Sequence, residues 1–205
     1  LKLFGVRYQV SFPLQGNFQV VNALAALGLG VATGVPIDTA VKAVANLKNI
    51  RGRLECVTRH PNGAAIYVDY AHTPNALKNV LQTLKPHVEG ALHLVFGCGG
   101  DRDSGKRYEM GCVAESTADY VIVTDDNPRS EDPAQIRREI IAGCRRAKEI
   151  KDRAEAILSA VSALKAGDIL IVAGKGHEGG QVIDGQIIPF DDAEVIRRSV
   201  ESIMS

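Results

Sequence analysis

The 205 residues carry no excess of either charge: 24 Lys and Arg stand against 24 Asp and Glu. No net field therefore draws nucleic acid or an anionic membrane to the surface, and any phosphate has to be bound by local groups. Long hydrophobic runs are also missing. None approaches the roughly 18 apolar residues of a membrane span, and the start, Leu1-Lys2-Leu3-Phe4-Gly5, lacks the layout of a secretion signal. A soluble, cytoplasmic monomer is expected, without nucleic-acid or membrane partners. Metal-site and disulfide spacings are absent as well: Cys56, Cys98, Cys112 and Cys144 form no C-x-x-C pair and are expected as reduced, mostly buried thiols. What the chain does have is an apolar fraction of 45%, enough for one substantial domain and a piece of another.

Residues 3–14 alternate loosely up to Pro13 and read as one or two short strands near a sheet edge. An Ala- and Leu-rich run then predicts a helix over 17–34, with the stripe at 23–29 as core, and Pro36 and Asp38 open a second helix over 37–47. Two helices after a strand fragment are too little for a domain. Residues 1–50 are therefore expected to be the tail of a domain whose body lies upstream.

From residue 51 the pattern changes to strands alternating with helices, the grammar of an α/β domain with a mostly parallel sheet. Strands are expected at 64–68, 92–96, 120–124 and 169–173, with helices at 75–84, 106–116, 133–148 and 192–203. Each of these strands ends in a polar or glycine-rich loop. Ligands of open parallel sheets sit beyond the carboxyl ends of the strands, so these four loops are expected to build one composite site.

One motif invites a wrong reading. Gly100-Asp-Arg-Asp-Ser-Gly105-Lys106 fits G-x-x-x-x-G-K between a strand and a helix, as a phosphate-cradling loop would. The next residue, however, is Arg107, so the hydroxyl that would hold magnesium is absent. Asp101 and Asp103 also place negative charge where a polyphosphate would nest.

Together, Asp69-Tyr-Ala-His72-Thr-Pro, Gly97-Cys-Gly-Gly-Asp-Arg-Asp103, Asp126-Asn-Pro-Arg129 and Gly174-Lys-Gly-His-Glu178 resemble the Mur ligases. Within that family they are similar to the members that add meso-diaminopimelate, and the resemblance runs from Phe12 onward. It implies an ATP- and Mg2+-dependent ligase that joins meso-diaminopimelate to UDP-N-acetylmuramoyl-dipeptide during cell-wall synthesis. It further implies that residues 1–50 end the central ATP-binding domain and that 51–205 form a Rossmann-like third domain. The phosphate-binding loop, the carbamylated lysine and the magnesium ligands of the family have no counterpart here. No catalytic or metal-binding residue is assigned, and the fragment alone is expected to be inactive.

The resemblance assigns Arg102, Asp126, Asn127, Pro128, Arg129, Gly174 and Glu178 to the amino acid. A guanidinium fork suits the distal carboxylate of diaminopimelate, a match that lysine cannot make, and Arg102 and Arg129 stand at those positions. Glu178 corresponds to the residue that takes the distal ammonium. For ATP the resemblance points to Asn22 near adenine, Arg53 near the terminal phosphates, Asp69 at the ribose and His72 in the same cleft.

Plainer readings exist for several of these residues. Arg102 could form a solvated network with Asp101 and Asp103, Glu178 could simply pair with Lys175, Asp126-Asn127-Pro128-Arg129 with Ser130 to Pro133 could be turn and helix-start chemistry, and His72 could be a satisfied structural histidine. Asn22 could bond its own helix bundle. A lysine-adding or folylpolyglutamate-type ligase is the rival enzyme, and a non-catalytic amino-acid-binding module is the rival of another class.

Overall fold

The computed structural model describes residues 1–3, 5–14 and 16–204. Phe4, inside the expected first strand segment, lies outside the described residues. Backbone contacts divide the chain into two units, Leu1–Ile50 and Arg51–Ser205.

In the first unit, β1 (Lys2–Leu3) and β2 (Val6–Arg7) pair antiparallel and are followed by α1 (Asn17–Ala32) and α2 (Ile37–Val44). The strands are shorter than expected: after Tyr8 N closes on Leu1 O, residues 9–14 pair with no neighbouring strand. α2 stops before the expected Leu47, where Asn46 Nδ2 donates to Lys42 O and competes with the helical backbone. The 23–29 stripe is core on one edge alone. Ala23 and Leu27, an i,i+4 pair, are buried, whereas Leu24 and Leu29 point to solvent.

The second unit is a six-stranded sheet between two helical layers. Its elements run β3 (Glu55–Arg59), β4 (Ala65–Asp69), α3 (Pro74–Leu84), β5 (Leu92–Phe96), α4 (Gly105–Thr117), β6 (Tyr120–Val123), α5 (Pro133–Gly143) and β7 (Lys148–Glu149). They continue with α6 (Arg153–Ser162), β8 (Ile169–Ala173), β9 (Gly180–Ile183), β10 (Gln186–Pro189) and α7 (Asp192–Met204). The strand order is β3-β4-β8-β5-β6-β7, parallel except for the β3 edge, while β9 and β10 form a separate hairpin. α5 ends at Gly143 rather than at the expected Lys148, because Cys144 leaves helical dihedrals and the chain turns into β7.

The central strands β4, β5 and β8 are buried along their whole length, as strands covered on both faces must be. Ile66, Val68, Leu170 and Val172 pack with Ile157, Val161, Ile196 and Val200 of α6 and α7. Alternate residues such as Tyr67, Leu94 and Ile171 turn to the other face, the side left to the mutually packed α3, α4 and α5. Arg153 and Asp192 form a fully buried fork, Nε to Oδ1 at 2.7 Å and Nη2 to Oδ2 at 2.8 Å, and Nη2 also donates to Ala173 O at 3.0 Å. That fork ties the starts of α6 and α7 to the end of β8, directly beneath the Gly174 loop.

Of the cysteines, Cys98 and Cys144 are buried, but Cys112 is half-buried and Cys56 is exposed, fewer buried thiols than expected. Cys56 lies on the edge strand β3, on the face opposite Val57, which packs on the core. Among the described residues no helix is long and apolar enough to cross a membrane.

Candidate functional site

Parallel pairing sets the ends of the strands level: Asp69 opposes Ala173, Val95 opposes Val172 and Phe96 opposes Val123. The loops that follow therefore converge. They enclose a polar cavity of about 420 Å³, into which the β4 loop contributes Tyr70, His72 and Thr73 and the β5 loop Gly97, Gly99, Arg102 and Asp103. Lys106 joins from α4, Asp126, Asn127 and Arg129 from the β6 loop, and Gly174 and Glu178 from the β8 loop. All the residues expected around the amino acid line this cavity except Pro128. A larger cavity of about 750 Å³ opens at the amino ends of β5, β6 and β8. It holds none of the four motifs and sits at the end of the sheet where parallel folds do not bind ligands.

Arg129 occupies the left-handed region at φ 54°, unusual for a side chain of its size. The hairpin holds it there: its amide donates to Val182 O at 2.9 Å, and Asp184 N donates to its carbonyl at 2.8 Å. Gln181 Nε2 grips the same loop through Asp126 O at 2.9 Å. The guanidinium donates from Nη1 to Gly100 O at 2.7 Å, while Nε and Nη2 have no hydrogen-bond partner among the described residues. One end of the fork is anchored and the other is available to a ligand.

The β5 loop is pressed against the β6 loop. A Cβ on Gly100 would stand 2.0 Å from Pro128 O, so only glycine permits this approach, and Gly100 N donates to Asn127 O at 2.9 Å. Pro128 thus shapes the contact between the loops. Arg107, the residue that spoils the phosphate-loop motif, is buried and joins them: Nη2 reaches both Glu131 oxygens at 2.9 and 2.8 Å, and Nη1 reaches Glu139 at 2.8 Å. Asp103 Oδ1 accepts from Gly105 N at 2.9 Å, occupying an amide at the start of α4 that a phosphate would use.

The network imagined for Arg102 does not form. Asp101 instead accepts from Ser130 Oγ at 2.7 Å and Ser130 N at 3.2 Å, bonds that hold its carboxyl below the ordinary range. Among the described residues Arg102 keeps a single bond, to Asp101 O at 3.2 Å, and it is exposed among the residues that line the cavity. Helix-start chemistry is present beside the site as well: Thr73 and Asp132 cap α3 and α5, each followed by proline at the first helical position.

On the β8 side, Gly174 has φ 113°, and a Cβ there would lie 2.5 Å from Asp126 Oδ2. Its lack of a side chain makes room for that carboxylate. Glu178 Oε2 accepts from Asn127 Nδ2 at 2.9 Å and lies 3.4 Å from Lys175 Nζ, so the simple pairing with Lys175 exists alongside a place in the cavity.

Of the residues expected at ATP, Arg53, Asp69 and His72 belong to the second unit. Asn22 is exposed on α1 of the first unit. Asp69 is 8% exposed and accepts from Leu54 N at 2.7 Å and Ala71 N at 2.8 Å; burial pushes its carboxyl upward against those bonds. Arg53 lies over the Tyr70 ring, 4.4 Å from its centroid, and His72 bonds Tyr70 O at 2.8 Å. Tyr70 and Gln181 were not singled out by the sequence, and Lys175 entered only as a possible partner of Glu178. Lys106 stood in the misleading motif, yet its ammonium donates to His72 O at 2.8 Å.

Residues 52–176 match the family model described as Mur ligase, glutamate ligase domain. A UDP-N-acetylmuramoyl-L-alanyl-D-glutamate–2,6-diaminopimelate ligase of Chelativorans sp. (strain BNC1) is 56% identical over 197 residues, 96% of this chain and 41% of the relative. The protein of the same name from Agrobacterium fabrum is 56% identical, covering 97% of this chain and 41% of its own length. A solved structure of a ligase with that name superposes with a TM-score of 0.74 at 43% identity, over 97% of this chain and 41% of that one. The chain thus spans about 41% of the length of these curated relatives.

Proposed function

This chain belongs to the Mur ligase family, and we propose that it is the carboxyl-terminal part of an ATP-dependent ligase that adds meso-diaminopimelate to UDP-N-acetylmuramoyl-L-alanyl-D-glutamate. The observation that carries the reading is the cavity itself, which brings Arg102, Arg129 and Glu178 together from three separate loops. Diaminopimelate has an amino-acid group at each end. Arg129, with part of its fork unoccupied, and Arg102 receive the distal carboxylate. Glu178 and Asp126 receive the distal ammonium, leaving the other amine free to attack. The neighbouring 56% identical ligases support this choice of substrate.

ATP supplies the phosphoryl group that activates the D-glutamyl carboxylate; amide formation then releases phosphate. The residues of this chain contribute orientation and charge rather than covalent chemistry. Arg53 and His72 are exposed enough to meet phosphate, and Asp69 steadies the Arg53–Leu54 turn while marking the ribose side of the cleft. Asn22 and the unit Leu1–Ile50 belong, in this reading, to the end of the central ATP-binding domain. Mg2+ is assigned to the remainder of the ligase, because the magnesium ligands that the family resemblance implies have no counterpart in this sequence. The enzyme is placed in the cytoplasm, as a monomer.

ADP release by the complete ligase tests the reaction. It is expected only when meso-diaminopimelate, ATP, Mg2+ and the nucleotide-linked dipeptide are all present, with a product heavier by one diaminopimelyl residue. The 205-residue chain alone is expected to give no product. Turnover with glutamate in place of diaminopimelate would overturn the assignment, and amide synthesis by the short chain would overturn the division of labour.

A further inference from the structure

We infer that Lys175 is a positioning residue for the amino-acid pocket, one that sets the Asn127 amide and, through it, the Glu178 carboxylate. This rests on the reading above, because it gives Lys175 a task in the pocket proposed for diaminopimelate. Lysine is among the residues least often buried, yet the Lys175 side chain is 0% exposed. It cannot touch a ligand. Its nearest acceptor is not a carboxylate but Asn127 Oδ1, at 2.8 Å, with Glu178 Oε2 at 3.4 Å and Asp126 Oδ1 at 3.7 Å.

An ammonium has donors and no acceptor, so the Asn127 amide must face it with its oxygen rather than its NH2 group. Val182 N, from the hairpin, donates to the same Asn127 Oδ1 at 3.0 Å. Two donors on one oxygen fix which way the amide faces, and Nδ2 is left pointing at Glu178 Oε2, 2.9 Å away. Glu178 then has one oxygen tied down by Asn127 and Lys175. The other, Oε1, has no donor among the described residues, and the side chain stays 34% exposed on the cavity. Lys175 also places positive charge beneath Asp126 and Glu178, two carboxylates that would otherwise repel each other in the same wall. A simple ion pair would bring the ammonium closest to a carboxylate. Here the shortest bond goes to the neutral amide that links the wall together.

The test compares steady-state constants of the complete ligase and its Lys175→Met variant, which keeps the length of the side chain and removes the donor. KM for meso-diaminopimelate is expected to rise about tenfold or more, the loss that follows from a buried charged hydrogen bond, while KM for ATP stays within about twofold. A merely structural role would move both constants, or neither, alongside the melting temperature. If Lys175→Met does not fold, Lys175→Arg decides, since its larger, displaced head must still raise KM for the amino acid selectively. An unchanged KM for the amino acid in a folded variant, or equal rises for amino acid and ATP, overturns the inference. The wild-type arm separates this from the substrate reading: if wild type refuses meso-diaminopimelate, that reading falls, and the Lys175 comparison is made with the amino acid it accepts.

Discussion

Arg129→Ala in the complete ligase is expected to lower kcat/KM for meso-diaminopimelate by about a hundredfold or more, with KM for ATP little changed. The side chain does two things that alanine cannot. Its Nη1 holds Gly100 O at 2.7 Å, and its remaining nitrogens carry the charge and fork that a distal carboxylate needs. The backbone should survive the substitution, because the left-handed turn is clamped by Val182 O and Asp184 N rather than by the side chain. Arg129→Lys sharpens the result. It restores the charge without the fork and is expected to recover only part of the loss. Steady-state kinetics with varied amino acid at saturating ATP measure both variants.

Gly100→Ala is expected to reduce kcat/KM by a similar factor without any change in charge. The new Cβ would stand 2.0 Å from Pro128 O and 2.8 Å from Pro128 C, and neither backbone atom can rotate away. The β5 and β6 loops must separate, and with them Arg102 and Arg129, the two forks proposed for one carboxylate. A displacement of about 1 Å in such a constellation costs on the order of a hundredfold in rate. The protein should still fold, since the strain falls in loops outside the buried strands. Gly28→Ala, in α1 with nothing within 4 Å of the added carbon, is the matched control and should leave kinetics unchanged. Equal activity of the two variants would mean that the loop contact does not set the pocket.

How much of this could be read from the sequence depended on burial. β4, β5 and β8 were legible because strands covered on both faces are continuous apolar runs, and the helices after Thr73-Pro74 and Asp132-Pro133 announce themselves by cap and proline. β3 was not legible: it is a half-exposed edge strand with a register shift between Cys56 and Thr58, so no period survives. Reading the helical pattern on to Lys148 overran the start of β7, and α6, which lies beyond it, was passed over although Asp152 and Glu155 form its start signal. The β9–β10 hairpin had its cue in Asp184-Gly185 and was still passed over.

The site divides along the same line. Motif residues at strand ends were expected together, and the cavity gathers those proposed for the amino acid, because parallel registry brings equivalent ends level. From the sequence Lys175 is expected only as a possible partner of Glu178. Nothing in a sequence marks a lysine as buried, since its burial depends on Asn127 and Val182 arriving from two other elements.

The most direct measurement is the ratio of kcat/KM for meso-diaminopimelate to that for L-lysine in the wild-type complete ligase. The two substrates differ at the distal carboxylate, the group assigned to Arg102 and Arg129. A pocket built to bond that group leaves its guanidinium groups unpaired when lysine enters, and the expected preference is about a thousandfold or more for meso-diaminopimelate. Equal kcat/KM for the two amino acids would contradict it.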